Sequence, residues 1–123
     1  PPWSVNTLAQ CGGSYCLEHR DYRRQTLALI ERERRSLTEA LDRTGACRVH
    51  PGRANYILFE LDRSLPAARV LRDDLAASDR ILVRDCSSFE GLGSRHVRIA
   101  VRLPEENRRL LEAFRSWLAQ PGR

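Results

Sequence analysis

The sequence contains no lysine and no methionine. Without lysine there is no side-chain amine to form a Schiff base, so chemistry that needs one lies outside these residues. All 21 basic residues are therefore arginine, a cation that grips carboxylate or phosphate as a planar fork. Methionine is missing even at position 1, and the chain opens Pro1-Pro2-Trp3; an excised piece of a longer protein is the expectation. Long apolar runs are also missing. No window approaches the ~20 apolar residues of a membrane span, and no charged-then-apolar leader opens the chain. Cys11, Cys16, Cys47 and Cys86 have neither the density nor the spacing of a disulfide scaffold, so a cytoplasmic location is expected. Internal repeats and low-complexity segments are absent.

What remains reads as one globular domain spanning 1–123, long enough for a modest core. The net charge of +5 suggests an anionic ligand or nucleic acid. The arginines, however, are spread along the chain beside glutamates, as in Glu31-Arg-Glu-Arg-Arg35. Such a run reads as a solvated helix face laced with ion pairs, and no nucleic-acid partner is expected.

Taken in order, Ser4 is placed to cap a short helix over 5–17, with Val5, Leu8 and Ala9 on one side. Gly12-Gly13 weakens that helix and suggests close approach by another element. Asp21 is the expected cap of the longest helix, reaching about Arg43, with Leu27, Ile30, Leu37 and Leu41 as its apolar stripe. Gly45 supplies the stop. A short strand over 46–49 and a His50-Pro51-Gly52-Arg53 turn follow. Residues 54–61 are the strongest strand, and their near-continuous apolar run predicts burial on both faces. A helix over 67–77 points Val70, Leu71 and Leu75 inward. Strands over 81–84 and about 97–101 follow, joined by a loop. Pro104-Glu105-Glu106 opens a last helix, with Leu103 a poor cap and Leu110, Leu111, Phe114, Trp117 and Leu118 as its apolar face. The order α-α-β-β-α-β-β-α predicts an α/β (α+β) sandwich, with a small antiparallel or mixed sheet of about four strands and helices mainly on one side.

The stretch from Ile81 to Arg102 carries the chief candidate site. Arg84 ends one apolar run and Arg98 sits inside the next. If those runs are neighbouring strands, both guanidinium groups can converge on one anion. Two readings stay open, since charged residues in strands are mostly exposed and the pattern alone favours simple solvation. The other motifs offer less. Gly91-Leu92-Gly93 lacks a third glycine and a following helix, so it reads as a turn. Cys47-x-x-His50 with Cys86 and His96 lacks complete ligand pairs at finger spacing, so no metal site is expected. The three histidines read as surface or loop residues. Ser87-Ser88 lacks the elbow of a serine nucleophile. Tyr56 and Phe59 point to opposite faces of their strand, which favours core packing over a base-stacking platform.

Several segments together resemble a known family. These are Pro2-Trp-Ser-Val-Asn-Thr-Leu-Ala-Gln10, Arg53-Ala-Asn-Tyr-Ile-Leu-Phe59, Ile81-Leu-Val-Arg-Asp-Cys-Ser-Ser-Phe89 with Gly91-Leu92, and His96-Val-Arg-Ile-Ala-Val-Arg-Leu-Pro-Glu-Glu-Asn107. In this order they resemble the C-terminal small domain of fold-type-I pyridoxal-phosphate enzymes of the histidinol-phosphate aminotransferase group, on the side of the threonine-phosphate decarboxylases of cobalamin biosynthesis. The resemblance implies a homodimeric parent in which a large domain of the same chain binds pyridoxal 5'-phosphate through its lysine. This piece alone would bind no cofactor and contribute no catalytic residue. Arg84 and Arg98 match the family arginines that hold the substrate's anionic group, and Asn6 and Trp3 match the segment joining the two domains near the site. Arg102 stands where the aminotransferases carry glycine, which leans away from histidinol phosphate. The alternatives are a histidinol-phosphate or related class I/II aminotransferase, and a non-catalytic ferredoxin-like domain that binds an anion or nucleic acid.

The missing lysine yields a direct expectation. After incubation with pyridoxal phosphate and dialysis, the 123-residue chain retains no cofactor absorbance near the visible range. A retained, stoichiometric band would contradict it.

Overall fold

The two α-helices that open the chain form for different reasons. The computed structural model describes residues 5–120. Helix α1, Thr7–Glu18, is capped by Asn6, whose side-chain oxygen accepts the Ala9 N–H at 2.9 Å. The expected cap, Ser4, lies outside the described residues. None of the α1 residues is buried. Gly12 and Gly13 have no neighbour within 4 Å of where a side chain would begin, so the predicted close approach is not found. Helix α2, Arg20–Asp42, begins just before Asp21. Asp21 is therefore not the cap; it sits in the first turn and pairs with Arg24 at 2.8 Å. Gly45, at φ 64°, takes the left-handed conformation that ends this region of chain.

Four strands follow: β1 (Cys47–Val49), β2 (Tyr56–Leu61), β3 (Arg84–Asp85) and β4 (His96–Ala100). They form one antiparallel sheet in the order β1-β2-β4-β3. Strand β4 thus lies between β2 and β3, and helix α3, Ala68–Asp79, makes the crossover between those two. Helix α4, Pro104–Leu118, closes the fold. The expected fold class is borne out. The third strand is shorter than expected: only Arg84 and Asp85 pair with β4, while 81–83 run into it without ladder bonds.

Helices α2, α3 and α4 pack on one face of the sheet. Ile57, Phe59 and Leu61 of β2 and Val97 and Ile99 of β4 point into them. Leu37 and Leu41 of α2, Ala68, Leu71 and Leu75 of α3, and Ala113, Phe114 and Trp117 of α4 complete the core. Phe59 and Phe114 meet with ring centroids 5.9 Å apart and planes at 59°. The Trp117 indole N–H donates to Asp74 at 2.9 Å, tying α4 to α3. Some expected core positions move outward. Leu27 lies ahead of the sheet on α2 and is exposed, and Val70 on α3 is exposed while Ala68 takes the inward place. Strand β2 is buried on one face only, because no helix covers the other: Tyr56 is exposed and Leu58 and Glu60 are half-buried.

One polar node joins three elements inside this core. Asn107 is buried at the start of α4. Its oxygen accepts the Arg102 N–H at 2.9 Å, and its amide nitrogen donates to the Arg102 carbonyl at 2.8 Å and to Glu33 at 3.0 Å. Glu33, expected on a solvated face, is thereby the exception in its charged run, buried between α2 and α4. The poor cap at Leu103 is relieved by Glu106, whose carboxylate accepts the Leu103 N–H at 3.4 Å and the Arg102 Nε–H at 2.8 Å. All four cysteines are free thiols. Burial is the chief cause that lifts the Cys47 thiol to about 11, and burial also raises that of Cys86.

Two outcomes follow from these contacts. Asn107→Ala breaks three hydrogen bonds and leaves the buried Glu33 carboxylate with Arg32 as its remaining partner at 3.3 Å, so it lowers stability by about 2–3 kcal/mol in urea unfolding followed by circular dichroism. The exposed control Arg108→Ala changes it by less than about 0.5 kcal/mol. In the native chain a thiol reagent reaches exposed Cys11 and Cys16 quickly, and Cys47 and Cys86 only on unfolding.

Candidate functional site

The uncovered face of the sheet is where the polar side chains of the strands gather. Alternation sends Arg48 of β1, Tyr56, Leu58 and Glu60 of β2, His96, Arg98 and Ala100 of β4, and Arg84 of β3 to that side. Its composition follows from the same period of two that builds the core, since each inward Ile, Phe or Val is followed by an outward residue.

Arg84 and Arg98 are direct register partners across β3 and β4. Side chains so placed begin about 5 Å apart. Neither guanidinium forms an ion pair with a carboxylate among the described residues. Each lies over an aromatic ring instead. The Arg98 Cζ is 4.9 Å from the centre of Tyr56, and the Arg84 Cζ is 5.5 Å from that of Phe89. Such contacts orient a cation and leave its N–H fork free. The two side chains start from adjacent positions on the uncovered face, and each leans on its own ring, Arg98 toward β2 and Arg84 toward the following loop.

The loop after β3 is built to hold this geometry. The Asp85 carboxylate accepts the Ser87 N–H at 2.9 Å and its hydroxyl at 3.1 Å, a local turn that starts the loop. Successive turns at Phe89 and Leu92, with Gly91 at φ 79°, return the chain to β4. This brings Phe89 back over Arg84 and confirms Gly91-Leu92-Gly93 as a turn. Ser87 and Ser88 are exposed and no histidine contacts either one among the described residues. Cys86, buried beneath the strands, donates to the Arg84 carbonyl at 3.7 Å.

Asn6 sits at the cap of α1, with its oxygen taken by the Ala9 N–H, and α1 touches α2. The described residues do not bring Asn6 to the arginine pair. Trp3 lies outside them. Arg102 is exposed and held by Glu106 at 2.7 Å. A groove of about 750 Å³ runs between α2 and residues 49–58, lined by Arg34, Arg35, Glu39 and Arg53 among others, and contains neither Arg84 nor Arg98. The arginine pair thus lies outside that groove, on the open face of the sheet.

The suspected Cys47, His50, Cys86 and His96 set is taken apart by the fold. Cys47 turns toward the core side of β1 and Cys86 is buried. His50 and His96 are half-buried and stack, with centroids 5.5 Å apart and planes at 19°, and Glu60 joins them. Sequence reasoning missed that grouping because Glu60 is far from both histidines in the chain. Only the register Glu60 to His96 reveals it.

No protein-family model matches the chain. It is 36% identical over 118 residues to the threonine-phosphate decarboxylase of Salmonella typhimurium, covering 95% of this chain and 31% of that protein. It is 39% identical over 119 residues to the histidinol-phosphate aminotransferase of Symbiobacterium thermophilum, covering 97% and 31%. Among solved structures it superposes on the histidinol-phosphate aminotransferase of Clostridium acetobutylicum with a TM-score of 0.83 and 30% identity, covering 95% of this chain and 34% of that one. The chain therefore spans about a third of the length of the relatives it matches. It is a homologue, in sequence and in fold, of one domain-sized third of the threonine-phosphate decarboxylases and histidinol-phosphate aminotransferases.

Proposed function

We propose that residues 1–123 are the small domain of a pyridoxal-phosphate enzyme acting on a phosphorylated amino acid, and that Arg84 and Arg98 bind the anionic group of its substrate. The favoured reaction is decarboxylation of threonine phosphate. The observation that carries this reading is the pairing of Arg84 with Arg98 in register on an uncovered face, with no carboxylate partner among the described residues. Like charges set directly opposite one another destabilise a strand pair, and an anion shared between them removes that cost. Two forks at one anion also give orientation as well as attraction.

An open, one-sided clamp is half of a site. A second surface must close it, and a large domain of the same chain is the proposed source. The residues present do not fit covalent attachment of pyridoxal phosphate, because none is lysine. No chemical step is assigned to this chain. Its arginines orient the substrate: by the α-carboxylate if threonine phosphate is bound, by the phosphate if histidinol phosphate is. Asn6 and Trp3 belong to the proposed site from the preceding segment, where the domains would join. The parent is proposed to be a cytoplasmic homodimer. Among the described residues no helix is long and apolar enough to cross a membrane.

Histidinol-phosphate aminotransfer is the second reading, favoured by the superposition on the Clostridium acetobutylicum enzyme. Arg102 argues for the decarboxylase. It fills a place where such aminotransferases carry glycine, and its ion pair with Glu106 ties it to the α4 cap.

The test uses the whole protein of which these residues are part, assayed for carbon dioxide release from threonine phosphate and for amino transfer from histidinol phosphate. Arg84→Ala or Arg98→Ala each lowers kcat/KM by about 10–100-fold, the loss of one charged hydrogen-bonding group. The melting temperature stays within about 2 °C of the parent for exposed Arg84→Ala and within about 4 °C for half-buried Arg98→Ala. Unchanged kinetics in both variants would remove the clamp assignment.

A further inference from the structure

The uncovered face holds a second constellation that the arginine pair does not use. Glu60 is the register partner of His96. The His50 N–H donates to the Leu58 carbonyl at 2.9 Å, which brings the residue after β1 alongside β2 on the same face. One nitrogen of each imidazole and one oxygen of Glu60 lie within 4.8 Å of one another.

Each member has a ligand atom left over. His50 Nε2 is buried and has no hydrogen-bond partner among the described residues. A buried, unsatisfied polar atom is costly, and a native fold that keeps one invites an explanation. His96 Nδ1 lies 3.3 Å from the Gly93 carbonyl. The same Nδ1 also accepts the Gly93 backbone N–H at 3.1 Å in the other tautomer, so metal binding selects the form in which Nδ1 donates to the carbonyl and Nε2 keeps its lone pair. Glu60 gives Oε2 to Arg48 at 2.7 Å and keeps Oε1.

Two imidazoles and one carboxylate form a donor set for zinc that leaves a fourth position open. Tetrahedral ligation needs donor atoms about 3.3 Å apart, so closure from within 4.8 Å takes side-chain movements of about 1 Å. Two paired strand positions and the residue that follows β1, itself hydrogen-bonded to β2, can supply that without backbone change. We propose that His50, Glu60 and His96 bind one Zn²⁺ on the uncovered face of the sheet, linking β1, β2 and β4. The ion satisfies the orphaned His50 nitrogen and pins the short edge strand β1 to the centre. Arg48 keeps its bond to the other Glu60 oxygen and remains a neighbour rather than a competitor.

The test titrates Zn²⁺ into the 123-residue chain at neutral pH against a chromophoric chelator. The chain carries Cys11→Ser and Cys16→Ser, because those exposed thiols could also take the metal. One ion per chain is expected. His50→Ala, His96→Ala and Glu60→Gln should each weaken it at least tenfold, while Arg48→Ala should not weaken it. Imidazole NMR of the same doubly substituted chain gives a second readout that needs no ligand variant to fold. Zinc should shift the His50 and His96 ring signals and leave His19, between α1 and α2, in place. No stoichiometric zinc, or wild-type affinity in the two histidine variants, or shifts at His19 alone, would each overturn the site.

Discussion

The antiparallel pairing of β2 with β4 is the constraint on which the rest depends. Ile57 faces Ile99 and Phe59 faces Val97 on the helix side; Leu58 faces Arg98 and Glu60 faces His96 on the other. A slip of one residue would exchange the two sets, placing charged side chains in the core and apolar ones in water. Burial of the first set therefore enforces the position of the second. The core is thus the reason that Arg98 stands opposite Arg84 and that Glu60 stands opposite His96, although neither pair adds to the core.

The helices lie on one side only, and that asymmetry shapes the function. Covering one face leaves the polar face accessible to a ligand or to another domain. On that face Arg48 is paired with Glu60 at 2.7 Å, whereas Arg84 and Arg98 rest on aromatic rings rather than on acids. Glu33 is joined to Asn107, Arg102 to Glu106 and Arg48 to Glu60. Ion pairing fixes couples such as Arg102 with Glu106, and ring contacts fix Arg84 and Arg98. Exposed ion pairs of the first kind contribute little to stability, whereas the buried Asn107 node holds α4 to α2 and to the end of β4.

Much of the fold was legible in the residues because local rules and burial agree. The period of two in Val97, Ile99 and Val101, the stripe of Leu37 and Leu41, the Pro104 start and the Gly45 stop each describe a choice made within a few positions. The misreadings share one cause. The apolar run from Tyr56 to Leu61 looked doubly buried, and Val70 looked inward, because a run of hydrophobic residues does not say how many faces have a covering layer. Glu33 looked solvated, because its partner Asn107 lies far along the chain.

By itself the sequence determined the element order, the alternating strands, the lack of any lysine for cofactor chemistry and the presence of an arginine on each of two successive strands. Those are properties of composition and of short-range pattern. Only the tertiary structure decided that Arg84 and Arg98 face one another, that the sheet stays open on one side, and that His50, Glu60 and His96 meet. Each of these depends on strand register and on which faces are covered. Both are set by contacts between residues far apart in the chain, where local preference carries no information.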